Sequence, residues 1–428
     1  WTAEALFGAG NYYWVNLDRV HAAEFYRRSL NIAPDGRNAP AAEWRVAWTA
    51  YLDRKPEAVD MLEAYVRRYP QSSYIQDALY WIGRAYERSG NTDRARYFYL
   101  AGANRFPLTY FGAKAAEHLR PAPEGIGMWP VNPADFSLLI PAAPPLPSLD
   151  QPVAVASGQE RQARARALSD IAFDASAELE YRAAYAATHA PKFLIDAAGA
   201  AIAAGHYGAG MGAVRQAIPQ LEARRITDIP NEAWRAAFPL PYEIDLRSEA
   251  ARNQLDPMLV AGLIRQESAF ESKAMSRAGA VGLMQVEPTT ALKLARQLKV
   301  RYARARLTDP GYNLQLGSRY LANLIQTFGT WEAALAAYNA GEDRVEQWTA
   351  GQNYLEPAEF VESIPFTETR EYVQIVIRNS DAYRSIYGPS SSGDREQTRN
   401  SVKGRMRTVA ARRIAANGAH PAAARESR

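Results

Sequence analysis

In the stretch LIRQESAF, residues 263–270, Glu267 interrupts an apolar run and is followed at once by Ser268. Val260, Leu263 and Ile264 lie seven, four and three residues before it, and Phe270 three after. On a helix these positions share one face with the glutamate. Asp256 as N-cap and Pro257 in the first turn predict that helix. A carboxyl group turned toward apolar neighbours loses hydration, which favours its neutral form and raises its pKa. An acid still protonated near neutrality suits a glycosidic oxygen as proton donor. The same pattern also fits a helix-end glutamate that reaches water or a backbone amide.

Three further strings carry polar groups at turns. In ESKAMSRAGAVGLMQVEPTTA, 271–291, Gly279 and Gly282 allow close backbone approach to a ligand, and Ser276 and Gln285 offer donors and acceptors for sugar hydroxyls and N-acetyl groups. ALAAYNAGEDRVEQW, 334–348, brings Tyr338 and Asn339 to a helix end that Gly341 can cap. VESIPFTETREYV, 361–373, adds Glu362, a proline turn and Tyr372. Taken singly, each string also suits packing or turn chemistry.

In this order, IRQESAF, GAVGLMQVEPTTA, LAAYNAG and ESIPFTETREYV resemble the soluble lytic transglycosylases, glycoside hydrolase family 23. The resemblance covers about 234–388. It implies a lysozyme-like α domain that cleaves the MurNAc–GlcNAc β-1,4 bond of peptidoglycan without water, leaving a 1,6-anhydro-muramyl end. It implies Glu267 as sole acid and base, with the substrate's own acetamide as internal nucleophile. Ser276, Met284, Gln285, Tyr338, Asn339 and Glu362 would meet the sugar, Glu362 contacting the glycan or holding Tyr338. Ser268 and Tyr372 would stand behind them. A hydrolytic muramidase on the same fold and a glycan-binding scaffold without catalysis are the alternatives. One position departs from the pattern: Val286, Glu287 and Pro288 stand where relatives read leucine, methionine, proline. Glu287 either turns to solvent or alters a subsite and the acid's pKa.

The elements that must position these groups read as helices throughout. Trp44 and Trp81, Ala58 and Ala95, Arg68 and Arg105, and Pro70 and Pro107 are each 37 residues apart. That period predicts a tetratricopeptide-like array over 1–120, whose hairpins bury their apolar faces only by stacking. FPLTYFG and AWRAAFPLPYE also resemble the helical superstructure of the family's long members, an arch or ring that would confine a glycan strand. A connector is expected over 121–160, since nine of the 26 prolines fall within 121–153. A helical linker is expected over 161–233, the catalytic domain over 234–388 and a basic disordered tail over 389–428. The fold class is therefore all-α. Residues 234–388 alone should cleave if they fold independently.

Composition narrows the function. The net charge of +4 comes from the tail, where nine Lys/Arg face three Asp/Glu from Ser390 onward. The remaining body is slightly acidic, which argues against nucleic acid. There is no cysteine, and the five histidines are scattered, so neither a thiolate nor a histidine metal site is expected. No cofactor is implied. The longest near-apolar run, FLIDAAGAAIAAG at 193–205, carries Asp196 and is too short to span a bilayer. The expected partners are glycan strands and cell-wall enzymes. The expected compartment is the periplasm, a leader being taken as removed.

Overall fold

The computed structural model describes residues 1–119, 140–149 and 156–388. Among them every extended element is a helix, and the β features are isolated bridges joining Met275 to Val281 and Val281 to Val286. Much of the expected connector, at 120–139 and 150–155, and the basic tail at 389–428 lie outside the described residues.

Six helices form three stacked hairpins: α1 (Thr2–Val15), α2 (Arg19–Ile32), α3 (Ala39–Leu52), α4 (Ala58–Arg68), α5 (Ile75–Arg88) and α6 (Thr92–Arg105). A seventh, α7 (Tyr110–His118), packs on both α5 and α6. The 37-residue period has a physical basis here. Trp44 and Trp81 are fully buried in the first helices of successive hairpins, and Ala58 and Ala95 are buried in the second. Arg68 and Arg105 end α4 and α6, and each proline falls in the loop that follows. Trp44 and Trp81 meet through Trp48, whose ring stands 6.4 Å from the first and 4.7 Å from the second. Stacked and tilted aromatics of this kind add to what their area alone contributes.

The middle of the chain holds α8 (Ala156–Asp170), α9 (Asp174–Thr188), α10 (Lys192–Ala203), α11 (Tyr207–Ala217) and the short α12 (Asn231–Ala237). Ala165, Ala177, Tyr181 and Phe193 give α8–α10 a small core of their own. Helix α8 begins within the expected connector, and α12 runs across the expected boundary at 234, with Trp234 fully buried. The extended residues 140–149 are tied down by two arginines. Arg105 Nε donates to the Pro141 carbonyl at 2.8 Å and Arg224 Nη2 to that of Pro144 at 2.5 Å. Proline has no N–H to offer, so its carbonyl is the group left to hold.

The last unit comprises α13 (Glu243–Arg252), α14 (Pro257–Ser268), α15 (Pro288–Gln297), α16 (Pro310–Phe328), α17 (Trp331–Ala340), α18 (Glu342–Thr349), α19 (Pro357–Ser363) and α20 (Thr367–Tyr387). Helices α14 and α20 cross closely. A Cβ on Gly262 would stand 2.7 Å from the Val376 carbonyl oxygen, so only glycine admits this approach. Helix α19 lies against the array and carries its carboxylates into arginines. Glu356 meets Arg84, and Glu359 meets Arg54 and Arg88. One continuous apolar core runs from Trp14 to Tyr383, joining the array to the last unit. Residues 234–388 are therefore not walled off from the rest. Among the described residues no helix is long and apolar enough to cross a membrane.

Candidate active site

Helix α14 starts as its sequence dictates. Asp256 accepts from the Met258 amide at 2.7 Å, and Pro257 occupies the first turn. Val260, Leu263 and Ile264 are fully buried, and Glu267 follows them on the same face, half-buried at the helix end. The next two residues, Ala269 and Phe270, have φ of 51° and 65°. Left-handed backbone is uncommon without glycine and here turns the chain sharply after the glutamate. Burial pushes the Glu267 carboxyl up to about 7, with the Tyr372 hydroxyl acting in the opposite direction.

Tyrosines, not cations, surround this acid. Tyr372 of α20 donates its hydroxyl to Glu267 Oε1. Tyr338 of α17 is close enough for the Glu267 charge to act on it, and burial holds both phenols well above their ordinary range. Tyr320 of α16 stands with its ring 5.1 Å from Tyr338, and burial pushes its phenol up to about 12. Among the described residues, burial and the opposing Tyr372 bond are the causes of the Glu267 shift.

The loop 271–287 is organised by hydrogen bonds to its own backbone. Ser268 Oγ donates to the Leu283 carbonyl at 2.8 Å, tying the loop to the end of α14. Ser276 Oγ accepts from the Ala280 amide at 3.0 Å. Gln285, at φ 45°, donates its Nε2 to the Gly282 and Ala274 carbonyls at 2.8 and 3.1 Å. The residue that fixes the loop from below is Asn313 of α16, fully buried. Its Oδ1 accepts from the Met284 amide and its Nδ2 donates to the Val281 and Leu307 carbonyls, each at 2.8 Å.

Several expectations change against this geometry. Gly282 is needed for close approach to protein rather than ligand, since a Cβ there would stand 2.3 Å from Asn313 Nδ2. The Met284 side chain cannot line a sugar groove, because it is fully buried against α16 beside Ser318. Its backbone does reach the site: Tyr338 donates to the Met284 carbonyl at 2.6 Å. Glu362 cannot touch glycan or hold Tyr338. It has no exposed surface and accepts from Trp44 Nε1 in the array at 2.8 Å. Glu287 is exposed ahead of α15, and its charge acts on Tyr320. Asn339 is exposed and accepts from Thr369 Oγ1 at 2.7 Å.

Glu267, Tyr338 and Tyr372 thus come together, with Ser268, Ser276 and Gln285 on or against the adjoining loop. Sequence reasoning missed Tyr320 and Asn313. An amide between apolar Tyr312 and Leu314, early in a helix, is the signal that could have pointed to the latter. Among the described residues no group of three or more histidines and carboxylates could hold a metal ion.

Residues 246–361 match the family model of the Transglycosylase SLT domain, and residues 41–72 and 77–109 match that of the Tetratricopeptide repeat. Over 157 residues the chain is 36% identical to the soluble lytic murein transglycosylase of Escherichia coli (strain K12), a match covering 35% of this chain and 24% of that protein. The Salmonella typhimurium protein of the same name is 39% identical over 158 residues, again with 35% and 24% covered. The chain therefore spans about a quarter of the length of the curated relatives it matches. The fold extends further. The lytic transglycosylase Slt of Pseudomonas aeruginosa, solved as an inactive mutant, is similar over 91% of this chain and 68% of that one, at TM-score 0.54 and 20% identity. The 70 kDa soluble lytic transglycosylase of Escherichia coli is similar over 90% and 62%, at 0.55 and 22%. Residues 246–361 therefore carry a Transglycosylase SLT domain, and the chain as a whole shares the fold of these solved lytic transglycosylases.

Proposed function

We propose that the protein cleaves the MurNAc–GlcNAc β-1,4 bond of peptidoglycan without water, leaving 1,6-anhydro-muramyl ends, and that it does so in the periplasm. The observation that carries this reading is the half-buried Glu267, pushed up to about 7 by burial among tyrosines. Tyr372 occupies Oε1, so the acidic proton belongs on Oε2. That proton passes to the glycosidic oxygen as its bond to muramyl C1 breaks. The muramyl acetamide oxygen closes on C1 and gives an oxazolinium ion. The Glu267 carboxylate then takes the C6 hydroxyl proton, and O6 attacks C1 and opens the ring. No water is consumed, and the glutamate ends protonated.

A single carboxyl suffices because the nucleophile is internal. A well-placed internal group is worth roughly 7–11 kcal/mol of barrier. Two-carboxylate glycosidases instead place a second acid within about 5–9.5 Å. The lytic reading assigns Glu267 alone to both proton transfers, and the product analysis below separates it from hydrolysis. Ser276 and Gln285 sit on the loop beside the acid and are assigned to the sugar, and Tyr338 to the developing charge at the acetamide.

Mass spectrometry of products from purified sacculi tests the proposal. Wild type should release anhydro-muropeptides and Glu267→Gln none. Reducing-end products would make the protein a muramidase, and binding without cleavage would make it a scaffold. Activity should be highest below pH 7 and fall about tenfold per unit above it, as the acid deprotonates.

A further inference from the structure

Glu362 has no part in this chemistry, yet it is among the most elaborately held side chains of the molecule. Trp44 donates to its Oε1 at 2.8 Å. Arg45 Nη1 stands 3.4 Å from its carbonyl oxygen and 3.6 Å from Oε1. Its other oxygen, Oε2, is buried with no ordinary donor in reach. Asp77 faces it. Burial and the Glu362 charge hold the Asp77 carboxyl well above the usual carboxylate range. A like charge beside a buried acid favours its neutral form. Arg370, buried in the first turns of α20, feels the charge of both acids, and its guanidinium stands 5.9 Å from the ring centroid of Tyr74 in the array.

The same turns of α20 enter the candidate site. Thr369 bonds Asn339, the neighbour of Tyr338, and Tyr372 bonds Glu267. Only two residues, about 3 Å of helix rise, separate Arg370 from Tyr372. Over that length a helix moves as one body.

We propose that Trp44, Arg45, Asp77, Glu362 and Arg370 form a positioning device through which the helical array sets the Tyr372 hydroxyl against Glu267. The proposal rests on Glu267 being the acid. It gives the array a second task besides guiding glycan, and makes Glu362 a positioning residue rather than a sugar ligand. Buried ion pairs contribute little net stability compared with apolar packing, and the best-attested use of such groups is to fix one geometry. Displacement of a catalytic group by about 1 Å can cost a hundredfold in rate.

The full chain tests this with Trp44→Phe, Tyr372→Phe and the double variant. Phenylalanine keeps an aromatic ring against Trp48 and Tyr74 but removes the donor to Glu362. Turnover and KM on sacculi are measured against pH. The Glu267 carboxyl is titrated separately by infrared difference against Glu267→Gln, which needs no turnover. The groups facing Glu267 are Tyr372 and Tyr338, neutral throughout the range used, so the midpoint reads the Tyr372 bond. Trp44→Phe should lower kcat about tenfold with KM within twofold, and raise the Glu267 midpoint as Tyr372→Phe does. Added to Tyr372→Phe it should do nothing further. A Trp44→Phe midpoint equal to wild type, or losses that multiply in the double variant, would overturn the proposal. If wild type fails to cleave sacculi, the functional reading falls, while the infrared midpoints still decide whether the array governs Tyr372.

Discussion

Glu267 and Glu362 are both glutamates near the end of a helix in the same unit, and both are turned away from water, but their surroundings treat the carboxyl group in opposite ways. Glu267 accepts from the Tyr372 hydroxyl at the end of an apolar helix face, and burial is the larger cause of its shift. Glu362 meets an indole N–H and the Arg45 guanidinium. The first environment raises the acid's pKa to about neutrality. The second satisfies a charge and fixes its position. Burial alone therefore does not identify a reactive carboxyl; the charge of what lines the pocket does.

The sharpest way to break this contrast is to neutralise each in turn. Glu267→Gln should cost at least about a thousandfold in product release, since the proposed mechanism gives one group both the acid and the base step. It should not cost stability. The folded pKa of about 7 lies above the unfolded value near 4.5, so folding takes up a proton. The associated stability is present below the unfolded value and lost as pH rises through 7. Removing the group should raise stability at pH 8 by on the order of 2–3 kcal/mol, read by urea unfolding at pH 5 and pH 8. Glu362→Ala should do the reverse, costing about 3–5 kcal/mol in the same urea series, because buried arginines lose their partner. A stable Glu362→Ala protein would remove the distinction between the two sites.

Smaller effects sharpen it. Asn313→Ala should cost about 2–3 kcal/mol and loosen the loop at 281–284, leaving a buried amide and two carbonyls unpaired; faster amide exchange at Met284 is the readout. Glu287→Met should change turnover by no more than about twofold and leave the pH midpoint unmoved, as an exposed carboxylate screened by solvent does.

Much of the candidate site is legible without coordinates. The Asp256–Pro257 start and the apolar face before Glu267 are local, so a helical period exposes them. The repeat is legible because each hairpin buries the same residue types at the same places, Trp44 and Trp81 above all. What stays hidden depends on distant partners. Glu362 reads as a groove residue until Trp44, 318 positions away, is seen to cover it. Met284 faces inward because Gln285 takes a left-handed conformation and Asn313 holds the Met284 amide, neither of which any periodicity signals.

The distance between Trp44 and Glu362 along the chain also has a kinetic meaning. A ribosome adding about 5–20 residues per second needs roughly 15–60 s to go from the first to the second. For most of that interval Arg45 and Asp77 have been made without their counterpart Glu362. Tyr372 is translated later still, so the candidate site is assembled last, onto a cradle already made.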